Sequence, residues 1–122
     1  MSDPKKILLV DDEPAILNLT SKMVNIAGFE TMVANNAEEA IEIFKEHTDE
    51  IDCVMTDYNM PGLNGDELIM TLLSIRPELD TVLISGYDQR TYESEGGMLF
   101  ENMRFLGKPF NRESLNSLLE SL

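Results

Sequence analysis

The chain has 122 residues, 43% of them hydrophobic, which suits a single domain over residues 1–122 with one core. Its net charge of −14, from 9 Lys and Arg against 23 Asp and Glu, argues against direct nucleic-acid binding and against an anionic membrane surface. The same charge suits a protein that meets basic or amphipathic partners or holds a cation, with most of its acids simply solvated.

No apolar run approaches ~20 residues, so no transmembrane helix is expected. The stretch Met1-Ser2-Asp3-Pro4-Lys5-Lys6 lacks the apolar run of a signal peptide, and a cytoplasmic location is the expectation. Cys53 is the one cysteine and lies inside an apolar run, which reads as a buried structural thiol.

Short strand-like runs alternate with helical patterns along the chain, the signature of βα units around a parallel sheet. Lys6-Ile7-Leu8-Leu9-Val10 reads as a strand buried on both faces. Asp11-Asp12-Glu13-Pro14 then opens a helix, with Pro14 in its first turn and the acids at its positive end. Ile16, Thr20, Met23, Val24 and Ala27 recur at helical spacing, and Gly28 stops the helix.

Phe29 to Ala34 is a second strand. Asn36 and Glu39 resemble a capping pair for a helix whose apolar face is Ala37, Ala40, Ile41 and Phe44. His47 falls near its C-terminal end, a favourable place for a cation. Ile51 to Asp57 is the third strand, and Met60-Pro61-Gly62 turns the chain. Asn64 and Glu67 start a third helix with Leu68, Leu72 and Ile75 inward and Pro77 beyond its end.

Thr81 to Ser85 is a fourth strand, stopped by Gly86. The stretch from Tyr87 to Asn102 has poorly spaced apolar residues and the pair Gly96-Gly97, and reads as a short or frayed helix. Met103 to Leu106 is a short fifth strand, Gly107-Lys108-Pro109-Phe110 a turn, and Asn111 caps a last helix bearing Leu115, Leu118, Leu119 and Leu122.

Ligands of open α/β sheets bind outside the carboxyl ends of the strands. Right-handed crossovers put those ends on one edge. There the first strand ends in Asp11-Asp12, the third in Asp57 and the fourth in Ser85, while Lys108 follows the fifth. Three carboxylates brought together either share protons or bind a cation. The ligands are all hard oxygens, which selects Mg²⁺, Mn²⁺ or Ca²⁺ over zinc, and few protein ligands with water completing the shell fits Mg²⁺ best. An ammonium and a hydroxyl beside them make a site for a phosphoryl group, with one carboxylate as a nucleophile.

Taken singly, each piece has an ordinary structural reading: helix-start acids, turn residues, a solvated lysine. Together, Ile7-Leu8-Leu9-Val10-Asp11-Asp12-Glu13, Asp57-Tyr58-Asn59-Met60-Pro61-Gly62-Leu63-Asn64-Gly65, Leu83-Ile84-Ser85-Gly86 and Lys108-Pro109-Phe110 resemble the receiver domain of two-component response regulators. The resemblance covers essentially the whole chain. It implies a flavodoxin-like, doubly wound sheet of five parallel strands in the order 2-1-3-4-5.

It also implies roles. Asp57 would be the phosphoacceptor. Asp11, Asp12, Asp57 and the backbone carbonyl of Asn59 would hold Mg²⁺, with Mn²⁺ as the alternative ion. Ser85 would bind the phosphoryl group and move toward it. Lys108 would pair with its oxygens, and the Lys108–Pro109 bond would be cis. Phe105 falls at the family's switch aromatic, often Tyr, which turns inward in the active state. The implied activity is phosphotransfer from a sensor histidine kinase or histidine phosphotransfer protein, self-catalysed rather than enzymatic on external substrates. Signalling would pass through protein contacts of the 87–106 face to a downstream effector or an attached domain.

Three features depart from the family pattern. Gly96-Gly97 lies early, and Phe100-Glu101-Asn102 replaces the small residues often found before the fifth strand. Phe105 lacks the hydroxyl that a Tyr would use in a hydrogen-bonded inward state. No DNA-binding stretch follows the fifth helix in this sequence, so output by protein contact is expected, from a stand-alone regulator or from a receiver of a larger regulator or hybrid kinase. Two rival readings remain. One is a docking module with a vestigial site, which the intact set of Asp11, Asp12, Asp57, Ser85 and Lys108 opposes. The other is a metal-dependent phosphohydrolase, which usually wants a second acid where Asn59 stands.

Overall fold

The computed structural model describes residues 5–122. Met1-Ser2-Asp3-Pro4, the start of the stretch in which no signal peptide is read, lies outside the described residues. Five strands and five helices alternate: β1 (Lys6–Val10), α1 (Pro14–Ile26), β2 (Glu30–Ala34), α2 (Ala37–Glu46), β3 (Cys53–Asp57), α3 (Gly65–Ile75), β4 (Asp80–Ser85), α4 (Gln89–Ser94), β5 (Met103–Gly107) and α5 (Arg112–Glu120). The strands pair in parallel in the order β2-β1-β3-β4-β5, the flavodoxin-like arrangement.

Strand side chains alternate between faces, and β1, β3 and β4 are buried along nearly their whole length, so the sheet has a core on each side. Leu8, Val10 and Val54 pack with Phe44 of α2 and with Leu68, Ile69 and Leu72 of α3. Ile7, Leu9, Cys53 and Met55 point the other way, against Leu17 and Val24 of α1 and Leu115 and Leu119 of α5. Cys53 is 1% exposed, and burial drives its thiol far above the usual range, so it stays an uncharged packing group.

Local signals set most helix boundaries. At the start of α3 the Glu67 carboxylate accepts the Asn64 N–H at 3.0 Å, whereas Asn36 caps α2 by accepting from the Glu39 N–H at 2.8 Å. The buried stripe of α1 is Leu17, Thr20 and Val24: Thr20 and Val24 are as expected, Leu17 takes the place of half-buried Ile16, Met23 is half-buried and Ala27 is exposed. Glu13 sits at the N-cap and makes no side-chain cap. Asp11 instead takes the Glu13 N–H at 2.9 Å. Ile75 is exposed, because α3 has already turned away from the sheet by its last residue. His47 at the end of α2 pairs with Glu50.

The link between β3 and α3 is the tightest point of the fold. Tyr58 N–H donates to Ile84 O and Gly65 N–H donates to Tyr58 O, both at 2.8 Å. A Cβ at Gly65 would lie 2.3 Å from the Asp57 carbonyl oxygen. Gly65→Ala is therefore expected to destabilise the fold by about 1–3 kcal/mol, as overpacking against backbone does. Gly107→Ala, where a Cβ would meet nothing within 4 Å, serves as the control and should change stability by less than about 0.5 kcal/mol. Urea unfolding of the two variants checks this, and equal midpoints would contradict it.

Candidate phosphoryl and metal site

The C-terminal tips of β1 and β3 bring Asp11, Asp12 and Asp57 together, with one carboxylate oxygen from each lying within 4.8 Å of the others. Asp11 and Asp57 are buried, at 5% and 6% exposure, and Asp12 faces solvent. Burial raises the Asp11 carboxyl above its ordinary range and outweighs the Glu13 N–H that lowers it; the nearby Asp57 charge raises it further. Ionised acids in such a space are short of positive charge.

Lys108 supplies part of it. Its Nζ lies 2.9 Å from Asp57 Oδ1. Burial alone would lower the ammonium, but the hydrogen bond and charge of Asp57, with Asp11 and Glu13, raise it above the ordinary lysine value. The lysine therefore stays charged. Its loop is tied down where it leaves the sheet, since Lys108 N–H donates to Ser85 O at 2.8 Å, and the Lys108–Pro109 bond is cis.

Ser85 closes β4 one position past Ile84, which is the register partner of Asp57. It is 1% exposed, and its Oγ accepts the Tyr87 N–H at 3.0 Å, which leaves the hydroxyl hydrogen free to point elsewhere. Asn59 is exposed in the turn after Asp57, and among the described residues no hydrogen bond occupies its backbone carbonyl. The donor set is entirely oxygen, which fits a hard divalent cation such as Mg²⁺.

Phe105 is not part of this polar cluster. It lies on β5 opposite Leu83 and is half-buried, packed edge-on against Tyr92 with ring centroids 5.1 Å apart. Tyr92 is the group that sequence reasoning missed. It sits on the weakly patterned stretch, where the structure has a helix of only six residues, Gln89–Ser94, and Tyr92 is its buried residue. Its ring also meets Tyr58 edge-on at 5.7 Å, and its hydroxyl lies 3.0 Å from the Oδ2 of buried Asp66. Burial pushes the Tyr92 phenol well up, and the Asp66 carboxylate pushes it further. The available signal was Gly97, whose lack of a side chain makes room for the ring: a Cβ there would fall 2.4 Å from it.

Residues 7–120 match the family model described as response regulator receiver domain. Among curated proteins, the chain is 33% identical over 123 residues to an uncharacterised transcriptional regulatory protein, YesN, of Bacillus subtilis, covering 96% of this chain and 32% of YesN. It is 27% identical over 122 residues to the sensor kinase CckA of Brucella abortus, covering 100% of this chain and 13% of that protein. The chain thus spans a third or less of the length of these relatives. Among solved structures it is similar to the response regulator TrrA of Thermotoga maritima, determined with Mg²⁺ and beryllofluoride. That likeness has a TM-score of 0.84 at 29% identity and covers 96% of this chain and 97% of TrrA.

Asp11→Asn keeps an acceptor for the Glu13 N–H and removes one of the crowded charges. In the presence of a chelator it is expected to raise stability on the order of 0.5–1 kcal/mol, and to lose most of the stabilisation that Mg²⁺ gives the unaltered chain. Urea melts with and without Mg²⁺ measure both effects. A destabilised variant with an undiminished Mg²⁺ response would contradict the reading of a repulsive cation site.

Proposed function

The chain belongs to the response regulator receiver domain family, and from that premise we propose that Asp57 is its phosphoacceptor, taking a phosphoryl group from the phosphohistidine of a sensor kinase or phosphotransfer protein. The observation that carries this is the placing of Asp57: a buried carboxylate at a strand tip, with Lys108 at 2.9 Å and two further carboxylates within 4.8 Å.

In the transfer, an Asp57 carboxylate oxygen attacks phosphorus. The O–P bond forms as the P–N bond to the donor imidazole breaks, and the electron pair leaves with the imidazole nitrogen. Asp11, Asp12, Asp57 and the Asn59 carbonyl would hold Mg²⁺, which neutralises charge on the phosphoryl oxygens when bound. Lys108 already contacts the acceptor, so its ammonium can follow the charge onto a phosphoryl oxygen. Ser85 has a hydroxyl hydrogen to donate to a second oxygen. The group leaves when water attacks phosphorus and the Asp57 carboxylate departs. This is self-catalysed chemistry on the protein itself. Asn59 stands two residues after Asp57, where a phosphohydrolase usually carries its second acid, which disfavours turnover of an external substrate.

The partner must bring a histidine to this edge of the sheet. Next to Lys108 a groove of about 440 Å³ is lined by Ile16, Leu19, Met23, Pro109 and Phe110, and Leu19 is 57% exposed. An apolar helix face carrying the histidine would find contact there. Downstream of transfer, the 87–106 stretch, with Tyr87 and Leu99 about half exposed, is the face that would signal to an effector or an attached domain.

Incubation with Mg²⁺ and a small phosphodonor should add one phosphoryl mass to the chain, in an adduct that is stable to acid and labile to base. Asp57→Asn should acquire none. Lys108→Ala should form the adduct roughly 10²-fold more slowly, by analogy with loss of one stabilising donor. An adduct that survives in Asp57→Asn, or no adduct in the unaltered chain, would overturn the assignment.

A further inference from the structure

Tyr92 holds together three parts of the molecule that are far apart in sequence. Its ring packs between Tyr58, next to Asp57, and Phe105 on β5. Its hydroxyl lies 3.0 Å from Asp66 Oδ2 on α3 and 2.6 Å from the Met98 carbonyl in the segment before β5. A hydroxyl has one hydrogen, so it donates to one of these two acceptors at a time. The Met98 carbonyl lies closer, while a carboxylate is the stronger type of acceptor, so the hydroxyl is shared between the 95–102 segment and α3.

The surrounding chain is shaped to this side chain. Gly96 takes a φ of +86°, which returns the chain over the ring, and Gly97 passes so close that any side chain would strike it. Asp66 directly follows Gly65, whose N–H is bound to Tyr58 O, so its position is fixed by the same turn that fixes Asp57. On the other side, α4 begins four residues after Ser85. Tyr87 N–H is held by Ser85 Oγ, and Asp88 caps the helix through the Thr91 N–H at 2.7 Å. Any pull on Ser85 is thereby carried into α4, while Asp66 holds Tyr92 to α3.

We propose that the Tyr92 hydroxyl, shared between Asp66 on α3 and the Met98 carbonyl, is a latch that holds α4 and the 95–102 segment in the unphosphorylated arrangement, and that phosphorylation of Asp57 works against it. The inference rests on the receiver reading above. Phe105 cannot form a hydrogen bond of its own, and in this chain the hydroxyl that senses the state of the site comes from Tyr92 on α4. A bond made in one of two states shifts the equilibrium between them by its own free energy, so removing it favours the state in which it is broken.

The test uses beryllofluoride with Mg²⁺ as the phosphoryl analogue, with its affinity measured by calorimetry and amide exchange followed over residues 95–102. Tyr92→Phe keeps the ring and removes the hydroxyl. It should bind the analogue about three- to tenfold more tightly than the unaltered chain, and its 95–102 amides should exchange without the analogue as fast as those of the unaltered chain with it. Asp66→Asn, which keeps an oxygen acceptor and loses the charge, should move affinity in the same direction by about two- to threefold and serves if Tyr92→Phe does not fold. Lower stability with unchanged analogue affinity and an unchanged exchange response would mean that the bond is only structural, and would overturn the latch. Failure of the unaltered chain to bind the analogue at all would instead overturn the receiver reading, and the latch with it.

Discussion

Negative charge that cannot be spread out is the constraint on which this structure turns. Asp11, Asp12 and Asp57 are held at the strand tips by a sheet whose β1 and β3 are buried on both faces, so they cannot move apart without breaking the core. Two unit charges ~4 Å apart repel by about 4 kcal/mol in surroundings of intermediate polarity. One ammonium, Lys108 at 2.9 Å from Asp57, offsets one of the three carboxylates. The remaining charge matches a divalent cation, and the phosphoryl chemistry proposed for the site follows from the same imbalance. Burial, with the Asp57 charge behind it, raises Asp11, and the neighbouring acids raise Lys108 against its own burial.

The sheet both creates this imbalance and connects it to the rest of the molecule. The Asp57 strand continues into a turn pinned by Tyr58 and Gly65, and Gly65 has no room for a side chain because α3 begins against the Asp57 carbonyl. From there the path leads through Asp66 and Tyr92 to Phe105. On the far side, Ser85 accepts a bond from Tyr87 N–H and gives its carbonyl to Lys108 N–H, so the fourth strand touches both the ammonium loop and α4. A change at Asp57 therefore meets α4 from two directions.

Much of this was legible in the sequence, and for identifiable reasons. The unbroken apolar run of β1, the caps at Asn36, Asn64 and Asn111 and the acids at strand tips are local signals whose meaning does not depend on distant residues. The convergence of Asp11, Asp12, Asp57 and Lys108 followed because right-handed βα crossovers put the strand ends on one edge, while the strand order came from the resemblance to receiver domains. In α1, Thr20 and Val24 were rightly placed inward, but Ile16 was chosen over Leu17, since the two are equally apolar and only the angle of packing distinguishes them. Tyr92 and Asp66 were not legible. They are 26 residues apart, and their meeting depends on a loop folded round a ring by two glycines, a purely tertiary relation. The glycine pair, which the sequence showed only as a departure from the family pattern beside a short helix, is the seat of that ring.

The most direct measurement of the central claim is an experimental structure of the chain with Mg²⁺ and beryllofluoride. The account predicts beryllium bonded to an Asp57 carboxylate oxygen, Lys108 Nζ and Ser85 Oγ each on a fluoride, and the cation between Asp11, Asp12 and Asp57. A fluoride complex seated elsewhere, or one on Asp57 with Lys108 turned away from it, would contradict the account.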